Sequence, residues 1–328
     1  MIYCPVLVPF ILYRGQSRDT IMKIGQGSFS FDRNLDEARM FLQEIYKQTG
    51  ALHYLIPTKI ENQKFGPCGE DYSAKDDEAF RIWRFLEKDE SSIIAISHRG
   101  SAGNYHVEIH PDYKLMEKDL FQEIEKLERD IVGEGDSRMY VYTVGPDHNR
   151  PQVLTELGYE DYGLHEYNYE FPQDASIPDN LLHMGYEIRS LNGEQDYPMF
   201  IEVIGSVYDH CREYMTLEKM RWMTKADFYH QDLNLIAADD TGRFVGFCMY
   251  RLDSLTAIAE IEALGAHPDF RNMGLEEALL SEGLRRVKEH QPKLVCAVEI
   301  DVSDPLNQML EASGFIRSAT MNMWGKMI

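Results

Sequence analysis

The stretch ALGAHPDFRNMGLEEALL, residues 263–280, runs a strand into a short loop and the loop into a helix. A helix starting near Leu275 leaves its first backbone N–H groups free. Together with the helix dipole these make an anion site suited to a diphosphate. Gly274 lets the backbone come close to such a ligand, and Arg271 adds a positive charge beside it. Upstream on the same strand, Glu260 and Glu262 are two residues apart and so share one face. Such a pair can hold an ammonium before it loses its proton, or can simply sit solvated on an open face.

These residues lie in the second of two copies of one pattern. HPDYKLM occupies 110–116 and HPDFRNM occupies 267–273, with Tyr113 against Phe270 and Lys114 against Arg271. The separation from His110 to Gly158 and that from His267 to Gly314 differ by a single residue. A register held over that length indicates a duplicated domain. The histidines recur in both copies, which points to a structural task such as capping the loop. Where the second copy has Gly274, the first has Glu117. A carboxylate there opposes a diphosphate, so the first copy is expected to keep the fold and to have lost the ligand.

Periodicity supplies the elements that must position these residues. In the second copy, LNLIAA (233–238) and RFVGFCMYRLD (243–253) read as strands around an Asp-Asp-Thr-Gly turn. AIAEIEALGA (257–266) is the strand before the loop, and Leu280, Leu284 and Val287 mark the helix after it. KLVCAVEID (293–301) is a buried-type strand. A short helix over 305–312 ends at Gly314, and FIRSATMNMW reads as a closing strand pair. The first copy repeats the later part: SIIAI and YHVEI are strands around the turn HRGSAGN, and Leu120, Ile124, Leu127 and Ile131 mark a helix. MYVYTV, a short helix over 149–157 and LHEYNYEF follow. The two prolines of PQDASIP (172–178) mark a linker. The expected organisation is a poorly defined extension over 1–21, a domain over 22–171, a linker over 172–180 and a domain over 181–328. Strands alternating with helices indicate an α/β unit with a mixed sheet.

Composition narrows the partners. The formal net charge is −22, with no basic excess to neutralise phosphates, so nucleic acid is excluded as a partner. That charge fits an amine partner or plain solubility. Hydrophobic residues make up 44% of the chain, enough to build real cores. The cysteines (Cys4, Cys68, Cys211, Cys248 and Cys296) form no C-x-x-C pair, a reduced and cytoplasmic pattern with no metal site. IYCPVLVPFILY (2–13) is too short to span a bilayer and has no positive charge before it, so no membrane association is expected.

The ordered set of hairpin, strand, Arg-x-x-Gly loop, helix and terminal Gly-Phe resembles the GNAT N-acetyltransferase superfamily over about 182–328. The tandem layout is similar to mycothiol-synthase-like proteins. The resemblance implies two tandem GNAT-like domains, each a mostly antiparallel mixed sheet flanked by helices. It implies acetyl-CoA as co-substrate and a primary amine of a small molecule or peptide as acceptor. Arg271, Asn272, Met273, Gly274, Leu275 and Glu276 match the loop that binds the donor's pyrophosphate. Leu264, Gly265 and Ala266 match the strand end that supplies the oxyanion donor and contacts the cofactor. Glu262 stands where family members hold a glutamate that acts as base, directly or through water. Asn307 corresponds to an asparagine that bonds the pantetheine arm. Tyr208, Asp209, His210 and Tyr214, in SVYDHCREYMTLEKM (206–220), fall in a segment that lines the acceptor site. Two positions depart from the family: Glu276 replaces a Gly or Ala, and Leu310 replaces a tyrosine that protonates the leaving thiolate. These departures motivate the alternative of a non-catalytic acyl-CoA-binding or scaffold protein.

Overall fold

A computed structural model describes residues 10–14, 21–66, 79–85, 92–100, 103–133, 137–145, 147–180 and 182–328. Most of the extension expected over 1–21, part of the HRGSAGN turn, and Cys4 and Cys68 lie outside them. The chain divides into two compact units: residues 1–56, 73–166 and 319–328 form the first, and residues 57–72 and 167–318 the second.

In unit 1, the strands β1 (Phe10–Arg14), β2 (Ile21–Ser28), β3 (Phe80–Phe85), β4 (Ile93–Arg99) and β5 (Asn104–Ile109) pair antiparallel in sequence order. β6 (Arg138–Gly145) then joins β5 in parallel through Asn104↔Tyr140 and Tyr105↔Val141. The last strand, β13 (Ile316–Met327), pairs antiparallel with β6 from Thr320↔Gly145 to Met327↔Arg138. Helix α1 (Phe31–Thr49) buries Ala38, Phe41, Leu42 and Ile45, a stripe at helical spacing. Helix α3 (Glu117–Val132) buries Leu120, Phe121 and Ile124 against Val107, Val141 and Trp324. A short helix, α4 (Asn149–Leu157), follows β6.

Unit 2 begins with α2 (Pro57–Phe65) and takes in the end of β7 (Glu160–Phe171) from Tyr167. Next come β8 (Tyr186–Ser190), α5 (Tyr197–Val207), and the short helices α6 (Cys211–Tyr214) and α7 (Leu217–Met223). The sheet continues with β9 (Asn234–Asp239), β10 (Phe244–Asp253) and β11 (Ile258–Ala266). Helix α8 (Leu275–Glu289), β12 (Leu294–Asp301) and α9 (Leu306–Ala312) complete the unit. Its strand order is β7-β12-β11-β10-β9-β8. Neighbours from β8 to β11 are antiparallel, and β11 and β12 are parallel. One face of the sheet packs on α8 through Leu279, Leu280, Leu284 and Val287. Phe200, Val203 and Ile204 of α5 form a second core with Phe247 and Met249.

Two features of this architecture differ from the sequence expectation. FIRSATMNMW is not a strand pair: from Ile316 on it lies in the single strand β13, because no glycine, proline or Asn/Asp turn dipeptide interrupts it. The compact units also do not follow the repeats. Residues 57–72 belong to unit 2 although the first repeat spans them. The terminal strands β7 and β13 each begin in one unit and end in the other. Chain order sets a repeat, whereas packing sets a unit.

Candidate active site

The parallel pairing of β11 with β12 runs from Ile258↔Leu294 to Glu260↔Cys296. Beyond it β11 continues to Ala266 and β12 to Asp301. Against β10, the register moves from Cys248↔Leu264 to Tyr250↔Ile261, so β11 carries one extra residue at Glu262–Ala263. Such a bulge re-aims side chains beside it. Two cavities in unit 2 border this part of β11. One, of about 490 Å³, is lined by Lys59, Arg251, Glu262, Glu299 and His210 among others. The other, of about 670 Å³, is lined by Gly265, Arg271, Asn272, Glu276 and Met309 among others. Tyr208, Leu264, Asp304 and Leu306 border both, so the cavities meet there.

Glu262 is a half-buried, ion-paired carboxylate, its side chain 31% exposed. The Lys59 ammonium, on α2, donates to Glu262 Oε2 at 2.9 Å. It also lies 2.6 Å from Glu299 Oε2 and 3.2 Å from Glu260 Oε1. Burial alone would raise the Glu262 carboxyl, but Lys59 and Arg251 outweigh it and hold the pKa at about 2. Burial would likewise lower Lys59, but the three carboxylates hold it well above its usual value. Glu260 is fully buried, which raises its pKa, and Thr58 Oγ1 donates to it at 2.6 Å. A carboxylate with so low a pKa is a weak proton acceptor and a strong electrostatic partner for a cation.

The loop after β11 runs through a 3₁₀ turn (Pro268–Phe270) into α8. His267 Nδ1 accepts from Asp269 N at 3.2 Å, and His110 Nδ1 accepts from Asp112 N at 3.3 Å, so both histidines cap a short 3₁₀ turn. Asn272 and Gly274 adopt positive φ, 62° and 72°, and Gly274 is the N-cap of α8. Arg271 and Asn272 line the larger cavity, Met273 is exposed, and Leu275 is buried in the core. Glu276 turns back on the strand: its Oε1 accepts from Ala266 N at 3.2 Å. Burial raises its carboxyl pKa, helped by Glu277 and Asp304 and opposed by the Ala266 amide and Arg271. Glu276, Glu277 and Asp304 line this cavity with Arg271 as its cation. The backbone therefore fits a diphosphate, and the side-chain charge opposes one.

Gly265 is required by packing. A Cβ there would lie 2.7 Å from Val207 Cγ1. Tyr208 donates to Leu264 O at 3.0 Å, and burial raises its hydroxyl well above the ordinary phenol value. His210 lines the smaller cavity. Asp209 and Tyr214 line neither cavity: the Asp209 side chain is 97% exposed, and Tyr214 is exposed with the Lys219 ammonium over its ring. Of the four residues expected to line an acceptor site, Tyr208 and His210 border a cavity, and Asp209 and Tyr214 do not. Asn307 is buried and committed to the fold. Its Oδ1 accepts from Tyr169 at 2.8 Å, and its Nδ2 donates to Asp301 O and Asp304 O. It lines neither cavity, so no amide is left for a cofactor. Leu310 is fully buried in the core.

In the first repeat the corresponding groups close on one another. Asp147 Oδ1 caps α4 at Asn149 N, as Asp304 Oδ1 caps α9 at Leu306 N, which places Arg150 at the position of Asn307. Arg150 donates to Glu117 Oε1 at 2.6 Å, Val107 O at 2.8 Å and Tyr142 O at 3.0 Å. Asn149 Nδ2 donates to Glu117 Oε2 at 2.7 Å.

Lys59, Thr58, Arg251 and Glu299 were not visible as site residues in the sequence. The nearest cue was an acidic residue, Glu299, in an otherwise apolar strand. Among the described residues, no group of three or more His, Cys, Asp or Glu could hold a metal ion, and no helix is long and apolar enough to cross a membrane.

A short parallel ladder between β11 and β12 thus stands beside an Arg-x-x-Gly helix start. Residues 201–315 match the model of the acetyltransferase (GNAT) family. Over the whole chain the fold resembles a GCN5-related N-acetyltransferase from Sphaerobacter thermophilus, with a TM-score of 0.66 and 14% identity, covering 93% of this chain and 95% of that one. It also resembles a tandem GNAT protein from the clavulanic acid biosynthesis pathway, with a TM-score of 0.65 and 13% identity, covering 93% and 98%. In sequence, 158 residues are 24% identical to a mycothiol acetyltransferase from Arthrobacter sp. (strain FB24), covering 46% of this chain and 49% of that protein. A mycothiol acetyltransferase from Propionibacterium freudenreichii subsp. shermanii is 25% identical over 148 residues, covering 44% and 46%. The matched region thus spans about half the length of these relatives.

Proposed function

We propose that the protein is an acetyl-CoA-dependent N-acetyltransferase whose second repeat carries the reaction. The observation that supports this reading best is the meeting of two cavities along β11 at Tyr208 and Leu264. Arg271 and the first-turn amides of α8 would hold the donor's diphosphate, and the larger cavity would take its pantetheine arm. The donor supplies an activated thioester. The smaller cavity would take the amine, with Glu262 and Glu299 facing its ammonium. Because Glu262 is held strongly ionised, it binds and orients the ammonium, and the proton leaves to water through the open cavity. The first repeat binds no donor, since Glu117 and Arg150 fill the corresponding place. The acceptor is a primary amine of a small molecule or peptide, and the likeness to mycothiol acetyltransferases supports acetyl as the group moved.

A second reading, a non-catalytic acyl-CoA-binding protein, is favoured by the carboxylate of Glu276 on Ala266 N. Calorimetric titration with CoA, followed by thiol release from acetyl-CoA against an amine panel, separates the two. Thiol release that depends on an amine supports the enzyme. CoA binding with no amine-dependent release supports the second reading.

A further inference from the structure

Lys59 lies in the sequence of the first repeat, and α2 delivers it into unit 2. Several contacts fix that delivery. Glu61 accepts from Asp227 N at 2.8 Å and Phe228 N at 3.1 Å. Trp222 Nε1 donates to Lys64 O at 2.7 Å, and Thr58 donates to the buried Glu260. These bonds place the Lys59 ammonium where β11 and β12 have parted, with Glu262 on one strand and Glu299 on the other. Glu299 has its own anchor: its φ is 61°, and its N–H donates to Asn168 Oδ1 at 3.0 Å.

We infer that Lys59 is a positioning residue for the acceptor amine, and that Glu299 is the second carboxylate of the amine's seat. The inference rests on the acetyltransferase reading above. It gives a donor-free repeat a reason to remain, because the second repeat's acceptor site is incomplete without it.

The chemistry follows from hydrogen-bond capacity. The Lys59 ammonium donates to Glu262 and Glu299 and lies within ion-pair distance of Glu260, whose Oε1 accepts no hydrogen bond. It is therefore neither a nucleophile nor a free base. Glu262 and Glu299 each give Lys59 their Oε2 atom and keep Oε1. Arg251 Nη1 lies 4.0 Å from Glu262 Oε1. Two carboxylate oxygens held across one gap and facing one cavity make a seat for a second ammonium. Without Lys59, like charges would drive the two carboxylates apart and open the seat.

The test compares Lys59→Met, Lys59→Arg and Glu299→Gln in the full chain. Removing Lys59 alone leaves buried carboxylates uncompensated and can unfold the protein. The double variant Lys59→Met/Glu260→Gln removes one of those charges, and thermal melting checks its fold. The readouts are CoA affinity by calorimetry, KM and kcat for the amine, and the amine-induced thermal shift of the CoA complex. A folded Lys59→Met/Glu260→Gln variant should raise the amine KM about tenfold or more while CoA affinity stays within about twofold. Lys59→Arg should recover part of the loss, and Glu299→Gln should raise the amine KM with little change in CoA affinity. An unchanged amine KM in the folded double variant, or in Glu299→Gln, overturns the inference and leaves the acetyltransferase reading intact. A wild-type protein that binds CoA but shows neither turnover nor an amine-induced shift overturns both.

Discussion

Glu117 and Arg150 meet at 2.6 Å in the first repeat, at the positions that Gly274 and Asn307 hold in the second. Both are buried. The carboxylate stands where a diphosphate would approach, and the guanidinium ties it to the carbonyls of Val107 and Tyr142. The first repeat thus holds a buried ion pair where the second has a glycine and an amide.

CoA should bind with a stoichiometry of one per chain. Arg150→Ala should not create a second site. It should strand Glu117 in the core and lower stability by about 3–5 kcal/mol, the scale for breaking a buried ion pair. Calorimetry for the stoichiometry and denaturant unfolding for the stability are the checks, and two CoA molecules on the wild-type chain would refute the assignment.

Glu276→Gln should tighten CoA binding by roughly tenfold, since a charge facing the diphosphate disappears. The wild type should also bind CoA more tightly as pH falls, because the raised Glu276 carboxyl takes up a proton before ordinary carboxylates do. That pH trend should flatten in the variant. Titrations at several pH values distinguish this from a weaker or pH-indifferent effect, which would mean that Glu276 stays clear of the donor.

Glu262→Gln should lower kcat/KM for the amine on the order of 10²-fold, the scale for removing one charge from a partly buried ion pair, with CoA affinity nearly unchanged. The folded pKa of Glu262, about 2, lies below its ordinary 4.5. Its charge therefore stabilises the fold above the ordinary value, and this contribution fades as pH falls toward 2. An acid limb of the rate profile near neutral pH thus belongs to the amine and not to Glu262. Such a limb should persist in Glu262→Gln, and its loss would restore Glu262 as the base.

Gly265→Ala should cost about 1–3 kcal/mol, because its new methyl would collide with Val207 Cγ1. Val207→Ala should rescue most of that loss in a double-mutant cycle followed by thermal unfolding. Additive losses would show that the two residues do not compete for the same space.

The sequence alone determined what local chemistry encodes. The Asp-Asp-Thr-Gly turn, the strands on either side of it, the Arg271–Gly274 loop and the helix after it all follow from turn residues and periodicity within about twenty neighbours. The His-Pro-Asp caps and the substitution of Glu117 for Gly274 were likewise readable from the duplicated heptapeptide. Tertiary structure decided the environment of each charge. Lys59 and Glu262 are separated by 203 positions, and no local pattern in TKIENQKF marks a lysine that will sit among three carboxylates. Asn307 looked like a cofactor ligand until its amide proved to be consumed by Tyr169, Asp301 and Asp304. Asp209 and Tyr214 stand in the segment expected to line the acceptor site but are exposed and border neither cavity. A side chain's type and its neighbours in sequence set its intrinsic chemistry, but its pKa and its free hydrogen bonds depend on what packs against it, and the folded backbone chooses those partners.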